Sequence, residues 1–329
     1  MSGLSRGTRR LFLASCVAAS ALAVVGLRVW AARAVNAPAA NAPGDDPPAD
    51  VDFRRDVEYG RLGDETLRLD LSLPKGATGR RPAIVVIHGG AWRAGSLRQL
   101  DELTWHLAEQ GFVAATVGYR FCPQHHFPAQ VQDVKCAVRY LRAHAEELHI
   151  DAAHMGAVGF SAGAHLALML GVMDAKDGLD DSGGSPGVSS KVQAVVSYFG
   201  PTDLELPATD ETRPLLVDFL GGTLEEARDA YHRASPVNYV DGGDAPMLLF
   251  QGTNDPLVPP VHATRMADAM QAAGVAGRVE LLVGAGHGDW TREEFARTSA
   301  AMLAFFREHL GLPATAATDA RPVFEGPKR

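Results

Sequence analysis

The pentapeptide Gly-Phe-Ser-Ala-Gly at residues 159–163 is the feature that most constrains how this 329-residue chain can fold. It lies between an apolar run at residues 155–160, typical of a buried strand, and a helix-like run at 162–171. Glycine on each side of Ser161 permits a sharp strand-to-helix turn, because a side chain there would collide with neighbouring backbone. Such a turn presents the serine hydroxyl to solvent above the edge of a sheet.

Short apolar runs alternate with longer amphipathic segments along most of the chain. The strand-like runs lie at residues 66–73, 83–88, 112–119, 155–160, 192–199, 246–251 and 278–283. Helix-like segments lie at residues 97–110, 129–147, 162–171, 259–273 and 291–310. This order predicts a largely parallel sheet covered by helices on both faces. The segment 204–235, between two strand-like blocks, predicts a small cap whose loops influence specificity.

A second motif, His-Gly-Gly-Ala-Trp at residues 88–92, directly follows a strand-like run. Glycines let the backbone approach a bound group, and rigid backbone N–H groups stabilise the oxyanion that forms when a hydroxyl attacks a carbonyl. We therefore predict an oxyanion hole from Gly89 and Gly90, with the N–H of Ala162 behind Ser161 as its second arm. A plain Gly-Gly turn at the end of a strand is the alternative.

Two titratable residues follow later strand-like runs. Asp255 lies in a Thr-Asn-Asp-Pro turn after the run at 246–251, and His287 lies in Gly-Ala-Gly-His-Gly after the run at 278–283. The carboxyl ends of parallel strands meet at one edge of the sheet, where sites in open α/β folds form. Because imidazole titrates near neutral pH, a histidine there can take the serine proton and later return it. The alternatives are an Asx turn for Asp255 and solvent exposure for His287.

Most of the twelve histidines are expected to have structural or surface positions. His262 and His309 fall in helix-like segments and are predicted at the surface. His165 is predicted to pack or form a hydrogen bond one helical turn after Ser161. His88 is predicted to orient the oxyanion loop and not to act as the base.

These blocks resemble the α/β-hydrolase carboxylesterases, in particular hormone-sensitive-lipase-like enzymes and bacterial feruloyl and acetyl-xylan esterases. The resemblance covers about residues 59–310 and extends to further blocks, including Gly-Tyr-Arg at 118–120, Phe-Pro-Ala-Gln at 127–130 and Phe-Gly-Pro-Thr-Asp at 199–203. It implies an α/β-hydrolase fold with a mostly parallel eight-stranded sheet, helices on both faces and a small cap insertion.

The resemblance also implies roles for individual residues. Ser161 is the implied nucleophile, His287 the implied base and Asp255 the implied orienting acid. The implied oxyanion donors are Gly89, Gly90 and Ala162. Trp92 is the implied substrate-binding aromatic residue. Ala91 stands where a third glycine is often found, and Ala164 stands where a second glycine often follows the elbow. The first departure leaves the substrate class open, because His-Gly-Gly-x-Trp also occurs in kynurenine-formamidase-like relatives.

The function implied is that of a serine carboxylesterase that hydrolyses short-chain acyl or aryl esters through an acyl-enzyme, with no cofactor and no metal. Acetyl or feruloyl groups on plant polysaccharides are candidate substrates, so the expected partner is a small-molecule or polysaccharide-linked ester. A kynurenine-formamidase-like amidase and a non-catalytic binding protein on a hydrolase fold are the alternatives. Beyond residue 34 the chain has 26 basic and 39 acidic residues, which argues against a nucleic-acid partner.

The N-terminal segment differs in composition from the rest of the chain. Arg6, Arg9 and Arg10 precede an apolar run at residues 11–27, the layout of a twin-arginine export signal. This predicts a periplasmic or secreted protein, and a membrane anchor through residues 11–27 is the alternative. Residues 1–34 are the predicted export signal or anchor, and residues 35–50 a flexible linker. The predicted catalytic domain covers residues 51–312, and a disordered tail covers residues 313–329.

Cys122 and Cys136 are the two cysteines that follow this segment. In an oxidising compartment they could form one disulfide between a loop and a helix. Two separate cysteines, with Cys136 buried on its helix, are the alternative. The partners of a four-ligand zinc site are lacking.

Overall fold

One eight-stranded sheet runs through the part of the chain that the computed structural model describes, residues 46–179 and 183–313. In chain order the strands β1 to β8 are Val51–Leu62, Glu65–Pro74, Arg81–Ile87, Val113–Val117, Ile150–Phe160, Ala194–Tyr198, Met247–Gly252 and Gly277–Leu282. Their order across the sheet is β1-β2-β4-β3-β5-β6-β7-β8. β2 is antiparallel to both its neighbours, β1 and β4, and the other five pairings are parallel. The predicted mostly parallel eight-stranded sheet is confirmed.

Helices cover both faces of this sheet. In chain order the helices α1 to α7 are Asp101–Glu109, Ala129–Ala143, Ala162–Val172, Arg213–Leu220, Arg228–Arg233, Val261–Ala273 and Arg292–Leu310. Strand β3 shows how the two layers form, because its successive side chains point to opposite faces. Ile84 and Val86 pack in the core layer that contains α1 and α7, whereas Val85 and Ile87 pack in the layer of α2, α3 and α6. A strand covered on both faces needs apolar side chains at nearly every position.

Strand β1 is the one that apolar runs do not predict. Its sequence contains several charged side chains, its residues are mostly half-buried or exposed, and it pairs at the edge of the sheet with β2. The register of this pairing shifts between Arg54 and Val57 and again between Glu58 and Gly60. An edge strand with one solvent-facing side and two irregularities carries no continuous hydrophobic pattern.

The predicted cap insertion consists of the two short helices α4 and α5, which lie between β6 and β7. A 3₁₀ turn at Pro236–Tyr239 leads from α5 back towards β7. The insertion therefore follows one of the strands whose carboxyl end forms the site edge, and this position allows it to cover the site.

Cys122 and Cys136 are both buried, as separate thiols. The Cys122 Sγ lies 3.9 Å from the Ala91 carbonyl oxygen, and the Cys136 Sγ lies 3.8 Å from that of Tyr59. The interpretation as two separate cysteines agrees with this arrangement.

The predicted export signal, residues 35–45 of the predicted linker and all but the first residue of the predicted tail lie outside the described residues. They stay predictions. Within the described ranges, no helix combines the length and apolar character that crossing a bilayer requires.

Candidate active site at the carboxyl edge of the sheet

Ser161 occupies the turn between β5 and α3, with backbone angles φ 53° and ψ −119°. A positive φ is unfavourable for a residue with a Cβ, so the surrounding structure must impose it. The flanking glycines explain how the turn fits. A Cβ at Gly159 would strike the carbonyl of Gly163, and one at Gly163 would strike the carbonyls of Ile87 and His88. The Ser161 N–H donates to the Tyr198 carbonyl at 2.9 Å, which ties the turn to β6.

A continuous chain of hydrogen bonds joins Ser161, His287 and Asp255. The Asp255 Oδ2 lies 2.8 Å from His287 Nδ1, and His287 Nε2 lies 2.9 Å from the Ser161 Oγ. A carboxylate only accepts, so His287 donates from Nδ1 and is left to accept the serine proton at Nε2. The structure therefore brings the three side chains together in the tautomer that prepares a serine for attack.

Asp255 is held by its own turn. Its Oδ1 accepts from the backbone N–H groups of Leu257 at 2.9 Å and Val258 at 2.8 Å, and its Oδ2 accepts from Gln251 Nε2 at 3.0 Å. The side chain is fully buried. The Asx turn that was the alternative for this residue is thus present, and the same carboxylate also contacts His287.

The loop that carries His287 is fixed from two sides. The Asn254 N–H donates to the Ala285 carbonyl at 2.9 Å, and Trp290 Nε1 donates to the Gly286 carbonyl at 2.9 Å. The ring of Phe199 lies against His287 with centroids 4.8 Å apart and planes at 62°. Phe199 itself has a φ of 45°, which is unusual for a bulky residue. The imidazole is therefore positioned by packing as well as by Asp255.

The predicted oxyanion residues lie next to the serine. A Cβ at Gly89 would come within 3.3 Å of the Ser161 Cβ, and Ala162 begins α3 directly after the serine. Gly90 has a φ of 120°, and its carbonyl accepts from the N–H groups of Arg93 and Ala94, both at 3.1 Å. Gly89 and Ala162 thus both lie beside Ser161.

His88 orients this loop, as its sequence position predicts. Its Nδ1 lies 2.7 Å from the Gly89 carbonyl oxygen, to which it donates. Its ring stacks on Tyr119 with centroids 4.5 Å apart, and the Tyr119 hydroxyl donates to the His88 carbonyl at 3.0 Å. Complete burial lowers the pKa of His88 to about 4, so the ring is neutral and unsuited to act as the base.

Trp92 lies beneath the cap, with only 4% of its surface exposed. Its indole stacks on Phe219 of α4, with centroids 4.2 Å apart and planes 4° apart. The indole N–H donates to His165 Nδ1 at 3.2 Å. His165 is buried and bonded, as predicted, and its Nε2 donates to the Ala234 carbonyl at 2.7 Å.

The prediction that His262 lies at a helix surface is wrong. The ring is buried, and its Nδ1 accepts from the N–H groups of Thr202 at 3.2 Å and Asp203 at 3.3 Å. Burial lowers the pKa of His262 to about 4, which keeps Nδ1 free of a proton and able to accept. The residue ties α6 to the loop after β6.

Gln251 and Phe199 contact the site residues, although neither the motifs nor the resemblance implies a role for them. Gln251 lies in β7 and donates from Nε2 both to Asp255 Oδ2 and, at 2.8 Å, to the Val258 carbonyl. A glutamine within an otherwise apolar buried strand is the one signal that could have drawn attention to it. Among the described residues, no group of three or more His, Cys, Asp or Glu side chains has the arrangement of a metal site.

The sequence that forms most of this site matches a known protein family. The family model named BD-FAE matches residues 69–270, more than half of the chain. The chain belongs to the BD-FAE family. This match spans the elbow, the oxyanion loop and Asp255, and it ends before His287.

Individual relatives extend the similarity. Esterase LipC of Mycobacterium tuberculosis is 32% identical over 244 residues, which cover 71% of this chain and 59% of that protein. A solved carbohydrate esterase from gut microbiota, in truncated form, has a TM-score of 0.69 and 27% identity, covering 80% of this chain and 99% of its own. The propionate-bound esterase Est2 of Thermogutta terrifontis has a TM-score of 0.68 and 27% identity, covering 82% and 97%. The fold is that of the α/β-hydrolase esterases, and the chain spans little more than half the length of the curated relatives it matches.

Proposed function

We propose that this protein is a serine carboxylester hydrolase. The observation that carries the proposal is the continuous hydrogen-bond chain from Asp255 through His287 to the Ser161 hydroxyl, with Gly89 of the oxyanion loop beside the serine turn. The family membership and the esterases among its relatives support the same reaction class.

In the proposed mechanism, the Ser161 Oγ attacks the ester carbonyl while His287 Nε2 takes the hydroxyl proton. The carbonyl π electrons move to oxygen, and the resulting oxyanion accepts hydrogen bonds from the N–H groups of Gly89, Gly90 and Ala162. The imidazolium then protonates the departing alcohol, and the C–O bond to the alcohol breaks. Water, deprotonated by His287, attacks the acyl-enzyme, and return of the proton to the Ser161 Oγ releases the acid.

Asp255 acts in this scheme by orienting the imidazole and stabilising its charged form. Its remaining hydrogen bonds come from donors of its own turn and from Gln251, so the carboxylate is in place before any substrate arrives. A preorganised charge of this kind requires no rearrangement during the reaction.

For the substrate we propose short-chain acyl or aryl esters, with acetyl or feruloyl groups on polysaccharides as the candidate natural esters. The carbohydrate esterase and the propionate-bound esterase among the structural neighbours support this class. The kynurenine-formamidase-like alternative shares the His-Gly-Gly-x-Trp loop at 88–92.

The deciding experiment is hydrolysis of a parallel panel of p-nitrophenyl acetate, p-nitrophenyl octanoate, ethyl ferulate, acetylated xylan and N-formylkynurenine. We expect turnover of short esters, and the Ser161→Ala variant should lose about 10⁶-fold in kcat while keeping the wild-type circular dichroism spectrum. Ester turnover close to wild type in folded Ser161→Ala would contradict the proposal. Preference for the formamide would favour an amidase, and no turnover by the folded wild type would favour a binding protein.

A further inference from the structure

Three aromatic rings pack between α3, the helix that follows Ser161, and the cap. Trp92 and Phe219 stack face to face, and the ring of His165 stands edge-on to both, with centroids 5.2 Å and 5.7 Å away. The exposed fractions are 4% for Trp92, 0% for Phe219 and 0% for His165. All three rings are buried and in contact with one another, so they form a continuous wall.

This wall stands directly beside the serine. His165 lies in the first turn of α3, and its backbone N–H donates to the Ser161 carbonyl at 3.1 Å. Trp92 follows Gly89 by three residues, and Gly89 contacts the serine turn. The indole, which donates to His165, therefore bridges the oxyanion loop and the first turn of α3.

Hydrogen bonds fix two of the rings. His165 accepts from the Trp92 indole and donates to the Ala234 carbonyl at the end of α5. Complete burial lowers the pKa of His165 to about 4, so the ring stays neutral and keeps one donor and one acceptor. The indole cannot rotate away without leaving both its own N–H and the His165 Nδ1 unpaired.

The third ring is fixed through its helix. The Phe219 carbonyl accepts from the Phe127 N–H at 2.8 Å, and the Asp218 carbonyl lies 2.8 Å from His126 Nδ1, from which it accepts. The Asp218 carboxylate also pairs with Arg93 at 3.1 Å. The cap helix α4 is thus joined to the oxyanion loop and to the loop before α2, and Phe219 is held against the buried face of the indole.

We propose that Phe219 determines the maximum length of the acyl chain by holding Trp92 against the acyl side of Ser161. This inference rests on the proposed ester hydrolysis and adds to it a residue that determines specificity. Truncation of Phe219 leaves space behind the indole, because well-packed interiors collapse only partly around a deleted side chain. The indole can then tilt into that space while its N–H stays bonded to His165, and a longer alkyl chain enters beside it.

The test compares Phe219→Ala with Phe306→Ala. Phe306 is also fully buried, but it lies on α7 across the sheet, so its truncation controls for general loss of packing. We measure kcat/KM for p-nitrophenyl acetate, butyrate and octanoate. The ratio of octanoate to acetate should rise about tenfold or more in Phe219→Ala and should keep its wild-type value in Phe306→Ala.

An unchanged ratio in folded Phe219→Ala, or an equal rise in both variants, would overturn the proposal. Should Phe219→Ala not fold, Phe219→Leu and Phe306→Leu replace the pair, with a smaller rise expected in the first alone. Loss of wild-type acetate hydrolysis in Ser161→Ala tests the proposed function separately, so the two failures can be told apart. Inactivation rates with ethyl and octyl fluorophosphonates give a second readout that needs only a reactive serine, and the octyl-to-ethyl ratio should change in the same direction.

Discussion

Asp255 and Asp101 are buried to almost the same extent, with 5% and 7% of their surfaces exposed, yet their surroundings differ. Asp255, at the carboxyl edge of the sheet, accepts from two backbone N–H groups, an amide and an imidazole. Asp101, at the start of α1 near β1, has its Oδ2 bonded to Arg55 at 3.1 Å. Its Oδ1 is buried and has no hydrogen-bond partner among the described residues.

Burial is therefore similar for the two carboxyl groups, and the number of hydrogen-bond donors around each of them is what differs. Loss of water raises the pKa of Asp101 to about 6, and the nearby Arg55 offsets only part of this effect. The neighbouring carboxyl of Asp70 also has a raised pKa, because it too is desolvated. Donors at the candidate site come from a tight turn that the fold forms around Asp255.

Among changes at these two carboxyl groups and their partners, the largest expected effect comes from Asp255→Asn. The amide no longer selects the imidazole tautomer that accepts the serine proton, so kcat should fall by about 10⁴-fold. Steady-state hydrolysis of p-nitrophenyl acetate measures the loss, and Asp101→Asn is the matched control because it removes an equally buried charge away from the site. Equal losses in the two variants would show that the charge at Asp255 acts on folding and not on the reaction.

A smaller effect on activity is expected from Gln251→Ala. This change removes one donor to Asp255 and the bond to the Val258 carbonyl, and a buried hydrogen bond is worth about 1–2 kcal/mol. We expect kcat to fall about tenfold with KM little changed. Gln193→Ala is the control. The Gln193 side chain also forms hydrogen bonds to backbone groups, those of Met155 and Lys191, but it lies just before β6 and does not contact Asp255. A loss that appears only in KM would mean that Gln251 does not act through Asp255.

The smallest effect concerns stability, not activity. Because folding raises the pKa of Asp101 from its ordinary value of 3.8 to about 6, the folded protein binds this proton more tightly than the unfolded chain. The Asp101 proton therefore contributes fully to the free energy of unfolding below pH 3.8. This contribution, at most about 3 kcal/mol, is lost as the pH rises to about 6. Urea unfolding of Asp101→Asn should show a gain of about 1 kcal/mol over wild type at pH 7 and none at pH 3.5. A loss of stability at pH 7 would mean that the Arg55 pair outweighs the burial of the charge.

Strands β3 and β1 show how much of the fold a sequence can predict. Helices cover both faces of β3, so every position in the run Ala-Ile-Val-Val-Ile at residues 83–87 is apolar. This continuous apolar run is what indicates the strand. β1 forms because it pairs with β2, and its charged, irregular sequence contains no comparable pattern. The seven apolar runs thus predict β2 to β8, whereas β1 depends on its neighbour.

The candidate site divides in the same way. Ser161, Asp255 and His287 could be named because each follows a strand in a recognisable turn. His262 was placed wrongly at the surface, because its partners Thr202 and Asp203 are about sixty positions away along the chain. A residue that acts by bonding a distant loop leaves no local pattern.

The serine turn, the order of the site residues and the alternation of strands and helices can all be predicted from the sequence alone. These are local properties, since they depend on backbone crowding at glycine and on the spacing of apolar side chains. The 2.9 Å contact between Ser161 and His287, which are 126 positions apart, and the stacking of Phe219 on Trp92 depend on the tertiary structure. Such distances result from the packing of parallel strand ends and of the cap against them, and no short stretch of sequence contains that information.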